Sequence, residues 1–222
     1  MVEANFPLIP LNAVLFPGGN LSLHIFEKRY RQLVATCLDR DTAFGVVLIR
    51  EGREVAGPCV PFGVGTSARV IDSVALPDGR LNITAVGVRR FQIVDYGEGG
   101  AYPSGLVEYV GEEVGEVGVV AAAAREASER YAAYLTLARS SGRTTVPTAA
   151  ALPDNPVHLS YAIARGLSAD LRTRQDLLEC ATAAERLHRE VELLEGAERR
   201  LRQRLGGRGG EADEPEAEAS GG

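Results

Sequence analysis

ARVIDSVALPDGRLNITAVGVRRFQIVDY, residues 68–96, reads as two β-strands folded about a tight turn. The turn is Leu76-Pro77-Asp78-Gly79-Arg80, and its Asp-Gly pair tolerates the positive φ that a hairpin demands. Leu81, Ile83, Ala85 and Val86, then Phe91, Ile93 and Tyr96, alternate with polar positions around a bulge expected near Gly87. Upstream, AFGVVLIR (43–50) is a compact β-rich run. FPLIPLNAVLFPGG (6–19) reads as an edge or barrel strand interrupted by prolines and closed by Pro17-Gly18-Gly19. LSLHIFEKRYRQLVATCLDR (21–40) places Phe26, Tyr30, Leu33, Val34, Cys37 and Leu38 on one helical face. AYPSGLVEYV (101–110) supplies one more strand. Several short strands with a single helix specify a small barrel-like sheet rather than a parallel α/β sheet.

From residue 114 the pattern becomes helical. Val117, Val120, Ala124, Ala127, Tyr131, Tyr134 and Leu135 lie near one stripe of an alanine-rich helix that runs to about 139. A connector, SSGRTTVPTAAALPDNP (140–156), leads to a helix capped by Asp154 or Asn155, with Pro156 in its first turn and Gly166 at its end. Ser168 or Asp170 starts the next helix, and a last helix follows Thr182. Leu187, Val191, Leu194, Leu201 and Leu205 form its apolar stripe, with Glu198 interrupting the set. The division is therefore 1–112 (β), 113–205 (helical) and 206–222, an acidic tail expected to be disordered.

Composition excludes several functions. The 222 residues carry 24 Lys and Arg against 30 Asp and Glu, a net charge of −6, so a general nucleic-acid binder is disfavoured. Lys28 is the sole lysine and no Gly-Lys pair exists, which excludes a P-loop. The longest unbroken apolar run, Val119 to Ala124, is far too short to span a membrane. Cys37, Cys59 and Cys180 fit neither a disulfide framework nor a zinc pattern. The N-terminus lacks the basic start of a signal peptide, so a cytoplasmic protein is expected.

Candidate chemistry is sparse. GVGTSA (63–68) matches a dinucleotide fingerprint in letters, but a strand follows it where a helix is required. Glu185 and His188 form half of a di-metal pattern without a second half. Ser22 and Lys28 are near in sequence with nothing else to make them a dyad. His24, Glu27, Arg29, Tyr30 and Arg31 crowd into LHIFEKRYR, either as a site or as a hydrogen-bond network tying a helix to a sheet. Arg199, Arg200, Arg202 and Arg204 suit a helix C-terminus, whose dipole favours cations.

Taken in order, four blocks resemble the Lon protease N-terminal domain family, the substrate-binding domain. They are PLIPLNAVLFPGGNLSLHIFEKRYRQLV (7–34), FGVVLI (44–49), GTSARVIDSVALPDGRLNITAVGVRRFQI (65–93) and LSYAIARGLSADLRTRQDLLECATAAERLHREVELL (159–194). The resemblance implies an α+β fold, with an N-terminal PUA-like β pseudo-barrel followed by a C-terminal α-helical bundle. It implies a stand-alone member without the AAA+ ATPase and Ser-Lys protease domains, hence no enzyme. The expected function is recognition of unfolded or damaged polypeptide segments in protein quality control. The expected partners are unfolded polypeptides or one protein partner, with no membrane. No catalytic, cofactor-binding or metal-ligating residue is expected. Such a groove should be apolar and shallow or offer a free strand edge, bordered by the first strand and GPCVPFG (57–63). His24, Glu27, Arg29, Tyr30 and Phe62 are the candidate polypeptide-binding residues. The rival readings are a PUA-like RNA-binding protein resting on Arg89, Arg90 and the 199–204 arginines, a small-ligand enzyme centred on His24 and Glu27, and a scaffold using the last helix.

Overall fold

The computed structural model describes residues 1–209 except 56, 98 and 142–151, and the side chains of its last helix as far as Leu205. The elements in chain order are β1 (Val2–Leu11), β2 (Asn20–Ile25), α1 (Lys28–Arg40), β3 (Phe44–Gly52), β4 (Cys59–Pro61), β5 (Val64–Ala75), β6 (Leu81–Gly97), β7 (Ser104–Tyr109), α2 (Val117–Ser140), α3 (Pro156–Gly166), α4 (Leu171–Glu179) and α5 (Ala183–Gly209).

The hairpin of β5 and β6 is the spine, paired from Val64–Gln92 to Ala75–Leu81. At its turn the Leu76 and Gly79 N–H groups donate to the carbonyls of Arg80 and Leu76, and Gly79 takes φ +79°. The Asp78 carboxylate accepts from the Arg80 backbone and guanidinium. The expected bulge falls at Val88, because Gly87 pairs with Ala68 while Arg89 pairs with Ser67. Six of the seven strands run β1-β7-β6-β5-β3-β4, a parallel β1–β3 pairing closes the ring, and β2 lies off this path. The tall β6 carries β7 beside its second half and β2 beside its first. The prolines of β1 are tolerated because each half of that strand is paired on one side, Val2–Pro7 with β7 and Leu8–Leu11 with β3.

Three apolar clusters fill the molecule. One lies under α1, where Tyr30, Leu33, Val34 and Cys37 meet Ile9, Ile25, Phe44, Ile83 and Ala85. A small one joins Phe6, Leu8, Val47, Phe91 and Val107 inside the barrel. The largest belongs to the helices but takes in Val14, Phe16 and Leu48 from the barrel, so the two layers share a core. Two residues expected on the buried face of α1 are exposed, Phe26 at 47% and Leu38 at 43%. Phe26 precedes the first helical turn, so the helical period does not govern it. Val117 is likewise 80% exposed, because α2 begins there, one turn before Val120 reaches the core.

The caps follow residue chemistry. The Asn155 side chain accepts from the Val157 and His158 amides, with Pro156 at the first helical position, and Asp170 accepts from Thr173. Before α5, the Thr182 hydroxyl accepts from the Glu185 amide while the Glu185 carboxylate reaches back to the Ala181 amide. Asn155→Ala is expected to cost about 1 kcal/mol, since two first-turn amides lose their acceptor. A chemical denaturation midpoint measures this, and a midpoint equal to wild type would contradict the role of the cap. The helix α5 runs on to Gly209, and the acidic segment after it lies outside the described residues.

Candidate functional site

The segment just before α1 carries the candidate residues, and it is a strand. In β2, Leu21, Leu23 and Ile25 turn toward the core under α1, while Asn20, Ser22 and His24 stay exposed. This short alternation has a period of two, but the longer helical period of the residues after it masks it in the sequence. The strand pairs antiparallel with β6 from Asn20–Val86 to Ile25–Leu81, without a shift in register. Among the described residues no strand pairs with its other edge.

That open edge borders a groove of about 250 Å³. Its floor is apolar, from Ile9, Leu11, Leu23, Ile25 and Tyr30, and its rim holds Phe26, Glu27, Glu54 and Val55. Phe26 and Val55 expose 47% and 49% of their surface, so large apolar groups face water at the mouth. Glu54 accepts from the Asn12 amide at 2.9 Å, which tethers the rim to the end of β1.

The sequence candidates separate on this geometry. His24, Glu27 and Tyr30 line the groove together. Arg29 stands behind them, paired with Glu27 at 2.9 Å and stacked 4.5 Å from the centre of the Tyr30 ring. Phe62 lies elsewhere, against the helical core, with the Arg172 guanidinium 5.4 Å from its ring centre. The first strand borders the groove as expected, whereas none of residues 57–63 lines it.

Both ring nitrogens of His24 are engaged. Nδ1 lies 2.7 Å from the Asn82 side-chain oxygen, and Nε2 lies 3.2 Å from the Arg80 guanidinium. An N–H can donate only to the former and the guanidinium can only donate, so the network assigns the proton to Nδ1. The ring therefore serves the sheet surface, with Phe26 stacked 6.1 Å away.

The remaining polar candidates are structural. Glu185 caps α5 and pairs with Arg189, and His188 faces Glu192 across one turn. Among the described residues no cluster of metal-ligating side chains occurs. GVGTSA lies within β5 from Val64 onward, where a Cβ on Gly65 would approach the Val46 carbonyl to 2.6 Å, so that glycine serves strand packing. Arg89 lies 3.5 Å from the centre of the Tyr109 ring. Arg90 is 1% exposed and points inward, so it offers no charge to a polyanion.

A second cleft, of about 320 Å³, opens where barrel and helices meet, lined by Arg89, His158 and Arg165 among others. Its back wall is the buried seam of the molecule. There the Arg90 guanidinium forks onto Glu112 at 3.1 and 3.3 Å and donates to the Leu178 and Cys180 carbonyls at 2.8 and 2.6 Å. The Tyr161 hydroxyl donates to the same carboxylate, and burial raises its pKa. Arg186 lies 4.2 Å from the centre of the Tyr161 ring and donates to Ser160 and Leu177. Sequence reading missed this seam, because no local pattern marks which arginine turns inward.

A closed pseudo-barrel sharing its core with a helical bundle, with an apolar groove beside an open strand, defines a domain of mixed α/β architecture. The family model for the ATP-dependent protease La (LON) substrate-binding domain matches residues 5–196, and the chain belongs to that family. It is 27% identical over 210 residues to a Lon protease of Azospirillum brasilense, covering 91% of this chain and 26% of that protein. It is 24% identical over 208 residues to the Lon protease of Escherichia coli K12, covering 90% of this chain and 26% of that protein. The chain thus spans about a quarter of the length of these curated relatives. Among solved structures, a Lon N-terminal domain protein from Xanthomonas campestris is similar at TM-score 0.58 and 27% identity, covering 82% of this chain and 94% of that one. The N-terminal domain of a Mycobacterium avium complex Lon protease shares the fold at TM-score 0.63 and 16% identity, covering 86% and 97%. Among the described residues no helix is long and apolar enough to cross a membrane.

Proposed function

We propose that this chain is a non-enzymatic polypeptide-binding module that holds unfolded or damaged segments in cytoplasmic protein quality control. The observation that carries the reading is the apolar groove beside β2, whose floor is aliphatic and whose mouth exposes Phe26 and Val55. Such a surface takes apolar side chains of many sequences, and folded proteins bury the side chains it needs. Membership of a substrate-binding family supports the same reading. RNA binding is less well supported, because Arg90 is spent on the interior and the net charge is −6. A catalytic role for His24 finds little support, because both of its ring nitrogens are held by neighbours.

The test uses the full chain without nucleotide and a fluorescent, reduced and carboxymethylated α-lactalbumin, with the native disulfide-bonded form as control. Binding to the unfolded form alone, persisting at moderate salt, is expected. Phe26→Glu combined with Val55→Glu is expected to weaken it by about tenfold or more, since each buried apolar side chain contributes about 1.5–3 kcal/mol. Equal binding of the two forms, or none, would overturn the reading.

A further inference from the structure

The open edge of β2 has a definite hydrogen-bonding phase. Just before the strand, the Gly18 amide donates to the Gly87 carbonyl, and the Gly87 amide donates to the Gly19 carbonyl, both at 2.8 Å. Gly18, at φ +70°, and Gly19 therefore face Gly87 together as a bulge. Pairing then runs without interruption through Asn20–Val86, Leu21–Ala85, Ser22–Thr84, Leu23–Ile83 and His24–Asn82. In an antiparallel ladder, hydrogen-bonded and non-hydrogen-bonded pairs alternate. Counting from Gly19, the residues bonded to β6 are Leu21, Leu23 and Ile25. The N–H and C=O groups of Asn20, Ser22 and His24 point the other way, along the edge that borders the groove. Among the described residues no side chain or backbone group bonds to them.

We infer that an extended polypeptide segment is captured by strand addition to β2, through the backbone groups of Asn20, Ser22 and His24. This rests on the polypeptide-binding reading and specifies its mode. An added strand lies about 4.8 Å from β2, and its alternate side chains point to opposite faces. One set drops onto the floor of Ile9, Leu11, Leu23, Ile25 and Tyr30, and the other lies level with Ser22 and His24. Backbone bonding is indifferent to sequence, and the floor asks only for apolar residues at every second position. The occupant is thus an extended segment with apolar residues alternating, of the kind that folded proteins keep inside their sheets.

Another open stretch of the sheet, on β5, is built differently. Beyond Ala68, which is its last pair with β3, the strand β5 has no second partner among the described residues. That stretch is broken by a register shift between Val70 and Asp72, and Arg69 at its start is held to Asp41. A bulge and charges are the features by which edges resist pairing. On β2 the register is unbroken and the flank is apolar.

The phase supplies the test. Ser22→Pro deletes an outward N–H and no bond to β6, a position where an edge strand accepts proline. It is expected to weaken binding of carboxymethylated α-lactalbumin at least tenfold, with a melting temperature and circular dichroism spectrum like wild type, while Ser22→Thr binds normally. Independently of how that variant folds, the tightest-binding peptide tiled from the same probe is N-methylated one residue at a time. Every second methylation is expected to abolish binding and the intervening ones to leave it intact. A folded Ser22→Pro protein that binds within twofold of wild type, or tolerance of methylation at every position, would overturn strand addition. If the Phe26 and Val55 double variant loses binding in that same case, polypeptide recognition stands and only its mode fails. A wild-type protein without preference for the unfolded probe removes both.

Discussion

Arg90→Met destabilises the protein by about 2–3 kcal/mol, chiefly the cost of leaving two buried carbonyls without a charged donor, since the carboxylate partner Glu112 keeps access to water. The guanidinium is 1% exposed and makes four hydrogen bonds, two to Glu112 and two to carbonyls at the end of α4. Methionine fills much of the same volume, so the loss is not mainly one of packing. The Leu178 and Cys180 carbonyls lose a charged donor inside the protein, although Arg186 still reaches Cys180 at 3.3 Å. Arg90 sits on β6 and its two carbonyl acceptors belong to the helical layer, so the seam between layers loses a main polar tie. Arg90→Lys is expected to recover only part of the loss, because an ammonium cannot reproduce the forked geometry. Urea denaturation of the three proteins at neutral pH measures the effect. A midpoint for Arg90→Met close to wild type would show that the seam is held by apolar packing alone.

Glu190→Gln produces the second large effect, a stabilisation that grows with pH. Glu190 is fully buried on α5, and neither carboxylate oxygen has a hydrogen-bond partner among the described residues. Burial raises its pKa well above the usual carboxylate value, and the charge of Arg186, one turn back, offsets this only in part. Tyr131 on α2 and Cys180 before α5 also feel its charge, and their own pKa values rise with burial. In the unfolded chain the group titrates near 4.3. Because the folded pKa is raised, the contribution of this group to stability is fully present below about pH 4.3 and is lost as pH rises through the folded value. Glutamine keeps the shape of the protonated acid and has no charge to bury. The variant should therefore match wild type at low pH and exceed it by about 1–3 kcal/mol once the wild-type group is under pressure to ionise. Denaturation midpoints of both proteins across pH read the difference. A difference that stays constant from acid to alkaline pH would remove Glu190 as its source.

Much of the barrel was legible because its signals are local. The Asp-Gly turn, the alternation of Leu81, Ile83 and Ala85, and the bulge beside Gly87 each depend on a few neighbouring residues, and the hairpin followed from them. The helix caps were legible to within two residues each, and the structure places them at Asn155 rather than Asp154 and at Asp170 rather than Ser168. The strand β2 was missed, since three alternating apolar residues were absorbed into the stronger helical period of the residues after them. The candidates His24, Glu27 and Tyr30 were drawn from one short crowded segment, and they share the groove because a strand end and a helix start lie side by side. Phe62 was proposed from its apolar, proline-flanked context, which does not say which side of the barrel it lies on.

The arginines make the contrast sharpest. Arg89 and Arg90 are adjacent in sequence and identical in chemistry, yet one lies over the half-buried Tyr109 ring and the other is sealed between barrel and helices. Likewise Glu198 interrupts an apolar stripe and is still 4% exposed, facing the core with Arg202 as partner. By itself the sequence determined the hairpin, the caps, the division into strand-rich and helix-rich parts and the family resemblance, because these rest on local periodicity and turn chemistry. Only the tertiary structure decided which edges of the sheet stay open, which carboxylate is buried without a partner and which arginine joins the layers. Those outcomes depend on what distant segments bring to the same place, and no spacing along the chain encodes that.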